Sequence, residues 1–271
     1  MTAPVEIWQL EGIEAVRGPV TEPLPRRTHE GLMIGLLERG VLRARYRRAT
    51  HELRQGSLIL GQPGEAISFG PLGEAPPVRV CLRIAPSMLG ELTREVHGGG
   101  TATPSVGQLV TPDPLLVGLV RMFLATLTAP ASPLVSTSRA HEMLTRIVRV
   151  HTTPGGIDRS LRSERALVRR ARAYLEENAS TNINLNDLAQ LVNVSAYYLN
   201  RVFSAEVGIP PHAYQTQVRI ERGKRLLAQG LPVHRVAVEL GFYDQSHFTN
   251  QFRRLLGYPP SAYRDRKNLQ A

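Results

Sequence analysis

The chain has 271 residues, 42% hydrophobic and 21% charged, which excludes disordered, collagen-like and coiled-coil classes and leaves room for two domains. The net charge is +10, and every basic residue except Lys224 and Lys267 is Arg. Arg forks onto phosphates and base edges, so the composition points to a polyanionic partner. Cys81 is the single cysteine, which excludes an intrachain disulfide and a multi-Cys zinc site. The first residues lack a signal-peptide pattern and the apolar run 115–127 is too short to span a bilayer; the expected location is the cytoplasm, with no membrane partner.

In chain order, short strand-like runs come first: 32–37, 41–48, 57–60 and 78–84, separated by Gly and Pro turns. In 42–47 the polarity alternates, so Leu42, Ala44 and Tyr46 face a core while the intervening Arg side chains face water. Close spacing of short strands predicts a sandwich or small barrel. Two helical stripes follow. One carries Leu116, Leu119, Val120, Phe123 and Leu127 within 114–128; the other spans 136–151. Each stripe needs a cover, supplied either within the chain or by a second subunit. Residues 152–157 have the composition of a linker.

The charge is uneven. Residues 1–157 carry 16 Arg against 13 acids, and residues 158–271 carry 17 Lys and Arg against 10 acids. The basic part also repeats itself. At an offset of 49, Phe203, Gly208, Pro210, Pro211, Ala213 and Tyr214 recur as Phe252, Gly257, Pro259, Pro260, Ala262 and Tyr263. Upstream the offset becomes 48, pairing Leu188-Ala189 with Val236-Ala237. Each copy reads as a helix-turn-helix. In the first, about 184–207, Asn184 and Ser195 are N-cap residues and Asn193 turns the chain. In the second, about 232–256, Pro232 opens the first helix, Gly241 makes the turn and Asp244 caps the second helix. With Leu199 and Phe203 inward, Tyr197, Asn200 and Arg201 share the outer face of the recognition helix. Their counterparts are Ser246, Thr249 and Asn250, flanked by Gln245 and His247. Arg forks onto guanine and Asn onto adenine in the major groove. A helix over 212–229 joins the copies, with Gly223 marking a close contact, and a helix over 164–178 precedes them.

On these residues the C-terminal half resembles the AraC/XylS family of transcription regulators. The resemblance rests on Asp244-Gln245-Ser246-His247-Phe248 after Gly241-Phe242, then Phe252-Arg253-Arg254, Gly257, Pro259-Pro260 and Tyr263-Arg264. The first copy adds Leu188-Ala189, Ser195, Leu199, Arg201, Phe203 and Gly208. It implies seven helices, with both recognition helices reading successive major grooves of double-stranded DNA. Asn250 departs from the family's usual Arg, so the second unit is expected to read a different base or to hold the backbone.

The N-terminal half resembles the family's cupin-like sensor barrel through His29, 36–40 and 56–65. The expected fold is therefore α+β and multi-domain: a cupin-like barrel (1–111), a helical pair for dimerisation (112–151), a linker (152–162) and an all-α DNA-binding domain with two helix-turn-helix motifs (163–271). The resemblance implies a small-molecule effector inside the barrel, with His29, Tyr46 and Arg83 as candidate lining residues. It also implies a homodimer and contact with RNA polymerase. A surface or strand-end location is expected for His29. Metal cupins need a His-x-His cluster and a later His; here Ile67 stands where that His would follow Pro63-Gly64-Glu65, so no metal or other cofactor is expected. A cupin enzyme would need a two-His, one-carboxylate site, and a methyl-accepting repair regulator would need activated cysteines. Neither pattern is present in the sequence, and no catalytic residue is assigned.

Overall fold

The computed structural model describes residues 4–97, 105–128, 132–153, 166–264 and 267–268. Nine strands build the first half: β1 (Glu6–Leu10), β2 (Ile13–Pro19), β3 (Leu24–Arg27), β4 (Leu32–Arg39), β5 (Val41–Tyr46), β6 (Ala49–Arg54), β7 (Leu58–Gly61), β8 (Ile67–Leu72) and β9 (Val78–Ile84). One sheet has the order β1-β2-β9-β4-β7, with a short late strand, Lys267–Asn268, added in parallel at the β1 edge, and the other has the order β3-β8-β5-β6. Met33, Leu42, Tyr46, Phe69 and Cys81 fill the space between them. β5 alternates as its sequence dictates, with Leu42, Ala44 and Tyr46 buried and Arg43 and Arg45 exposed. It stops at Tyr46, two residues short of the expected run, because Arg47 takes a left-handed φ of 52°.

Five strands escape the sequence reading: β1, β2, β3, β6 and β8. So does α1 (Pro86–His97), whose buried set is only Leu89, Leu92 and Thr93. The helix α2 (Pro114–Thr128) has the expected bounds. α3 (Pro133–Arg146) begins earlier than expected, at the Ser132 cap, and its stripe continues into a π-helical turn over Ile147–His151. These helices cover the outer face of the first sheet, where Ile13, Ala15, Val80, Leu82 and Ile84 meet Phe123 and Met143 in one core. Burial within the chain is therefore the main cover for both stripes. The expected linker begins in a strand: β10 (Ser105–Val106) pairs with β11 (Thr152–Thr153). The rest of 152–162 lies outside the described residues.

Asp113 fastens this layer. Its carboxylate accepts from Leu116 N–H (3.0 Å) at the start of α2, from Arg146 Nε (2.9 Å) and Nη2 (3.0 Å), and lies 2.7 Å from His151 Nε2. The Arg146 guanidinium holds the Asp113 carboxyl well below its ordinary range. A depressed carboxyl stabilises the fold above its unfolded pKa and ceases to as pH falls through the folded value. Asp113→Asn should therefore lower neutral-pH stability by about 1.5–3 kcal/mol. The gap to wild type should close below roughly pH 4 in urea titrations; a gap that widens in acid would contradict this.

Seven helices are described in the second half: α4 (Ala166–Glu177), α5 (Leu185–Leu191), α6 (Ala196–Val207), α7 (Pro211–Ala228), α8 (Val233–Glu239), α9 (Gln245–Leu256) and α10 (Pro260–Arg264). The expected caps form. Asn184 accepts from Asp187 N–H, Ser195 from Tyr198 N–H, and Asp244 from His247 N–H. Pro232 is the N-cap of α8, and α6 and α9 both end on a left-handed glycine, Gly208 and Gly257. A Cβ on Gly223 would sit 3.0 Å from Phe248 and 3.1 Å from Leu240, which is the close crossing its place inside α7 implied.

The barrel docks on this domain along α7. Thr28 N–H donates to Gln217 Oε1 (3.0 Å), and Gln217 Nε2 donates to Thr28 O (2.8 Å) and Oγ1 (2.9 Å). Ile7 of β1 is buried with Ile220, Tyr258 and Tyr263.

Candidate DNA interface and sensor interior

Each recognition helix buries one stripe and turns the other outward. α6 buries Leu199, Val202 and Phe203, leaving Ser195, Asn200 and Arg201 exposed and Tyr197 79% exposed. α9 buries Phe248 and Phe252; Gln245, Ser246, His247 and Asn250 are exposed and Thr249 is half-buried. The residues expected on each outer face thus come together as two parallel sets. Two contacts pre-position them. Arg201 lies over the Tyr198 ring, 5.6 Å from its centroid, and His247 packs edge-on against Phe242. Tyr243, 93% exposed in the second turn, stands directly before the Asp244 cap. Sequence reading passed over it because turn residues carry no helical period.

The 18 residues of α7 separate the two units by about 27 Å of helix. Its basic residues are largely committed inside the protein. Arg219 donates to the carbonyls of Ala179 (2.5 Å), Thr181 (2.8 Å) and Gly241 (3.0 Å). Arg222 donates to Glu176 O, and Lys224 is buried. Arg253, near the end of α9, pairs with Glu22 of the barrel at 2.9 Å.

Lys224 belongs to a charge network between the halves. In the first unit the Tyr214 hydroxyl donates to Glu176 of α4. In the second, Tyr263 takes the place of Tyr214 and Lys224 lies at the 48-residue offset from Glu176, so the acceptor is lost. Glu14 of β2 replaces it. Glu14 Oε2 accepts from Tyr263 (2.9 Å) and Lys224 Nζ (3.0 Å), while Oε1 lies 2.5 Å from Arg83 Nη2. Glu221 joins through Lys224 (2.9 Å) and Arg83 (3.3 Å). Burial pushes the Glu14 carboxyl up, but Arg83 and Lys224 outweigh it and hold it below its ordinary value.

Of the sensor candidates, His29 lies at a strand end, one of its two expected places, just beyond β3, but is buried rather than on the surface, 7% exposed. Burial, with Arg27 and Arg83 nearby, pulls its pKa well below the ordinary value. Tyr46 is buried in the inter-sheet core, and Arg83 reaches the domain boundary. The alternating strand β9 hid the interior charge. Val80, Leu82 and Ile84 face the helices, so Arg79, Cys81 and Arg83 face inward. Simple alternation would have put those Arg side chains in water. Arg27 was missed as well. It pairs with Ile67, which pairs with Tyr46, so it shares their inward face. Among the described residues no group of three or more His, Cys, Asp or Glu is placed to hold a metal.

This division into a β-rich sensor and a double helix-turn-helix defines a class, and comparison with known proteins gives the family. A model of the AraC-like ligand binding domain matches residues 12–144, and one of a helix-turn-helix domain matches residues 188–266. An uncharacterised regulator, YbfI of Bacillus subtilis, is 27% identical over 243 residues, 90% of this chain and 85% of that protein. The transcriptional activator AarP of Providencia stuartii is 35% identical over 92 residues, 34% of this chain and 68% of its own. The fold is similar to solved ToxT of Vibrio cholerae, with a TM-score of 0.57 over 93% of this chain and 97% of that one, at 12% identity. The chain belongs to the AraC family of transcription regulators, with a ligand-binding domain followed by a helix-turn-helix DNA-binding domain.

Proposed function

We propose that both helix-turn-helix units read bases in successive major grooves, that an effector in the barrel governs this binding, and that the protein acts as a cytoplasmic regulator without catalytic activity. The repeat carries the reading: two recognition helices, each capped by a side chain and each ended by a left-handed glycine, present Tyr197, Asn200 and Arg201, and Ser246, Thr249 and Asn250. A homodimer through α2 and α3 is supported by their exposed apolar residues Leu115, Met122, Leu134 and Val135. Contact with RNA polymerase rests on family membership. Among the described residues no helix is long and apolar enough to cross a membrane.

Arg201→Ala tests the base-reading role. It should weaken cognate DNA by about 1–3 kcal/mol and relax preference at one position, because a forked Arg–guanine contact supplies discrimination of that size. Titrations on cognate and random duplexes decide: an equal loss on both would reassign Arg201 to the phosphate backbone.

A further inference from the structure

The turn of the second helix-turn-helix holds one residue that the first lacks. Val194 N–H donates to Ala189 O and Phe242 N–H to Ala237 O, both at 3.0 Å, so Val194 and Phe242 correspond at the 48-residue offset. In the first unit the Ser195 cap follows Val194 directly, whereas Tyr243 stands between Phe242 and the Asp244 cap. Tyr243 is therefore the inserted residue. It is 93% exposed, and no other large apolar or aromatic side chain among the described residues is as bare. Its neighbours are fixed. Gly241 turns the chain at φ 72°. Phe242 is buried edge-on against Phe248, with the Arg219 guanidinium over its ring. The Asp244 carboxylate accepts from His247 N–H at 2.7 Å. Tyr243 thus projects from a pinned backbone, and a tyrosine has only two torsions to freeze on contact.

Its place selects its partner. The first helix of such a motif crosses the DNA backbone, and the second enters the major groove by its N-terminal residues. A residue in the turn between α8 and α9, one position before the cap, lies at the rim of the groove, where sugar and phosphate stand. The charge pattern agrees. Gln245, Ser246, Thr249 and Asn250 carry no charge, and the Asp244 cap repels a phosphate that approaches the helix N-terminus directly, as the Ser195 cap of the first unit does not. A neutral donor held one residue further out reaches the phosphate that this carboxylate keeps away.

We infer that the Tyr243 hydroxyl donates a hydrogen bond to a DNA backbone phosphate at the edge of the groove that α9 enters, its ring lying over the adjoining deoxyribose. Tyr243 is then a positioning residue that sets the register of the second unit, since phosphate contacts orient a protein on the duplex and carry no sequence information directly. This inference rests on the reading of both units as groove-binding and adds a contact outside the base-reading set.

Titrations of the purified full-length chain on a duplex enriched from random DNA, and on random duplex, test this. Tyr243→Phe keeps the ring and removes the donor. It should weaken binding to both duplexes by about tenfold, the effect of one hydrogen bond to a charged group. Its melting temperature should equal that of wild type, because the side chain is exposed. Enriched duplexes with single phosphates replaced by neutral methylphosphonate then locate the acceptor. One replacement should weaken wild type several-fold more than it weakens Tyr243→Phe. The inference is overturned if Tyr243→Phe binds both duplexes like wild type, if it loses affinity only for the enriched one, or if every methylphosphonate weakens the two proteins equally. Intact DNA binding by Tyr243→Ala also overturns it and assigns the ring to a protein partner. The two readings fail separately. Phosphate coupling on a duplex with a single enriched box sustains the Tyr243 anchor and removes base reading by α9. Two enriched boxes without phosphate coupling keep the base reading and remove the anchor.

Discussion

Replacing Glu14 with Leu should destabilise the folded chain by about 3–5 kcal/mol, the usual effect of removing one partner from a buried ion pair. Arg83, Lys224 and Tyr263 all meet Glu14, and its loss leaves Lys224 and Arg83 to divide Glu221. The damage should fall on the domain boundary, so amide exchange in α7 near Gln217–Lys224 and in β2 should accelerate before exchange in α5 or α6 does. Adding Lys224→Met should recover part of the loss, because it removes one of two buried cations left to share a single carboxylate and leaves Glu221 to Arg83. Strict additivity of the two substitutions would contradict the contact. The pH dependence has a definite sign. The Glu14 carboxyl is depressed in the folded state, so its contribution is present above the unfolded pKa of about 4.3 and is lost as pH falls through the folded value. The Leu variant should show a shallower acid dependence than wild type.

The second large effect is expected at Gly241. Its φ is 72°, and a Cβ there would lie 2.0 Å from Ser180 O. Gly241→Asn should unfold the second helix-turn-helix: Asn tolerates the left-handed backbone, but the clash forces the 179–181 loop and the Arg219 clamp apart. The repeat supplies the control. Asn193 occupies the corresponding turn of the first unit at the 48-residue offset, is also left-handed at φ 56°, and is exposed. Asn193→Gly should change stability by only a few tenths of a kcal/mol. Equal effects at the two turns, read by thermal unfolding, would contradict the assigned packing.

The two halves differ in how much their sequence discloses. Helix-turn-helix anatomy is local: a cap, a stripe, a turn residue and a second cap lie within 25 residues. Asn184, Asn193, Ser195 and Asp244 could therefore be assigned their places, and duplication doubled the signal. The recognition faces follow from the same helical period. The barrel is non-local. β1 and β2 pair with each other as a hairpin, but their other partners, Lys267–Asn268 for β1 and β9 for β2, are far along the chain. Arg79 and Arg83 alternate with apolar residues as solvent-facing side chains would, yet α2 and α3 cover the apolar face and turn the arginines inward. Glu14 takes its meaning from Tyr263 and Lys224, more than 200 residues away, and only the folded chain brings them together.

Selection of binding sites from random duplex DNA by the purified chain, at near-physiological salt, tests the central claim most directly. Two short boxes centred about one helical turn, or 10–10.5 base pairs, apart are the expected product, one for α6 and one for α9. A single enriched box would make the second unit, with Asn250 in place of Arg, a backbone clamp. No enrichment would contradict sequence-specific reading by this pair of helices.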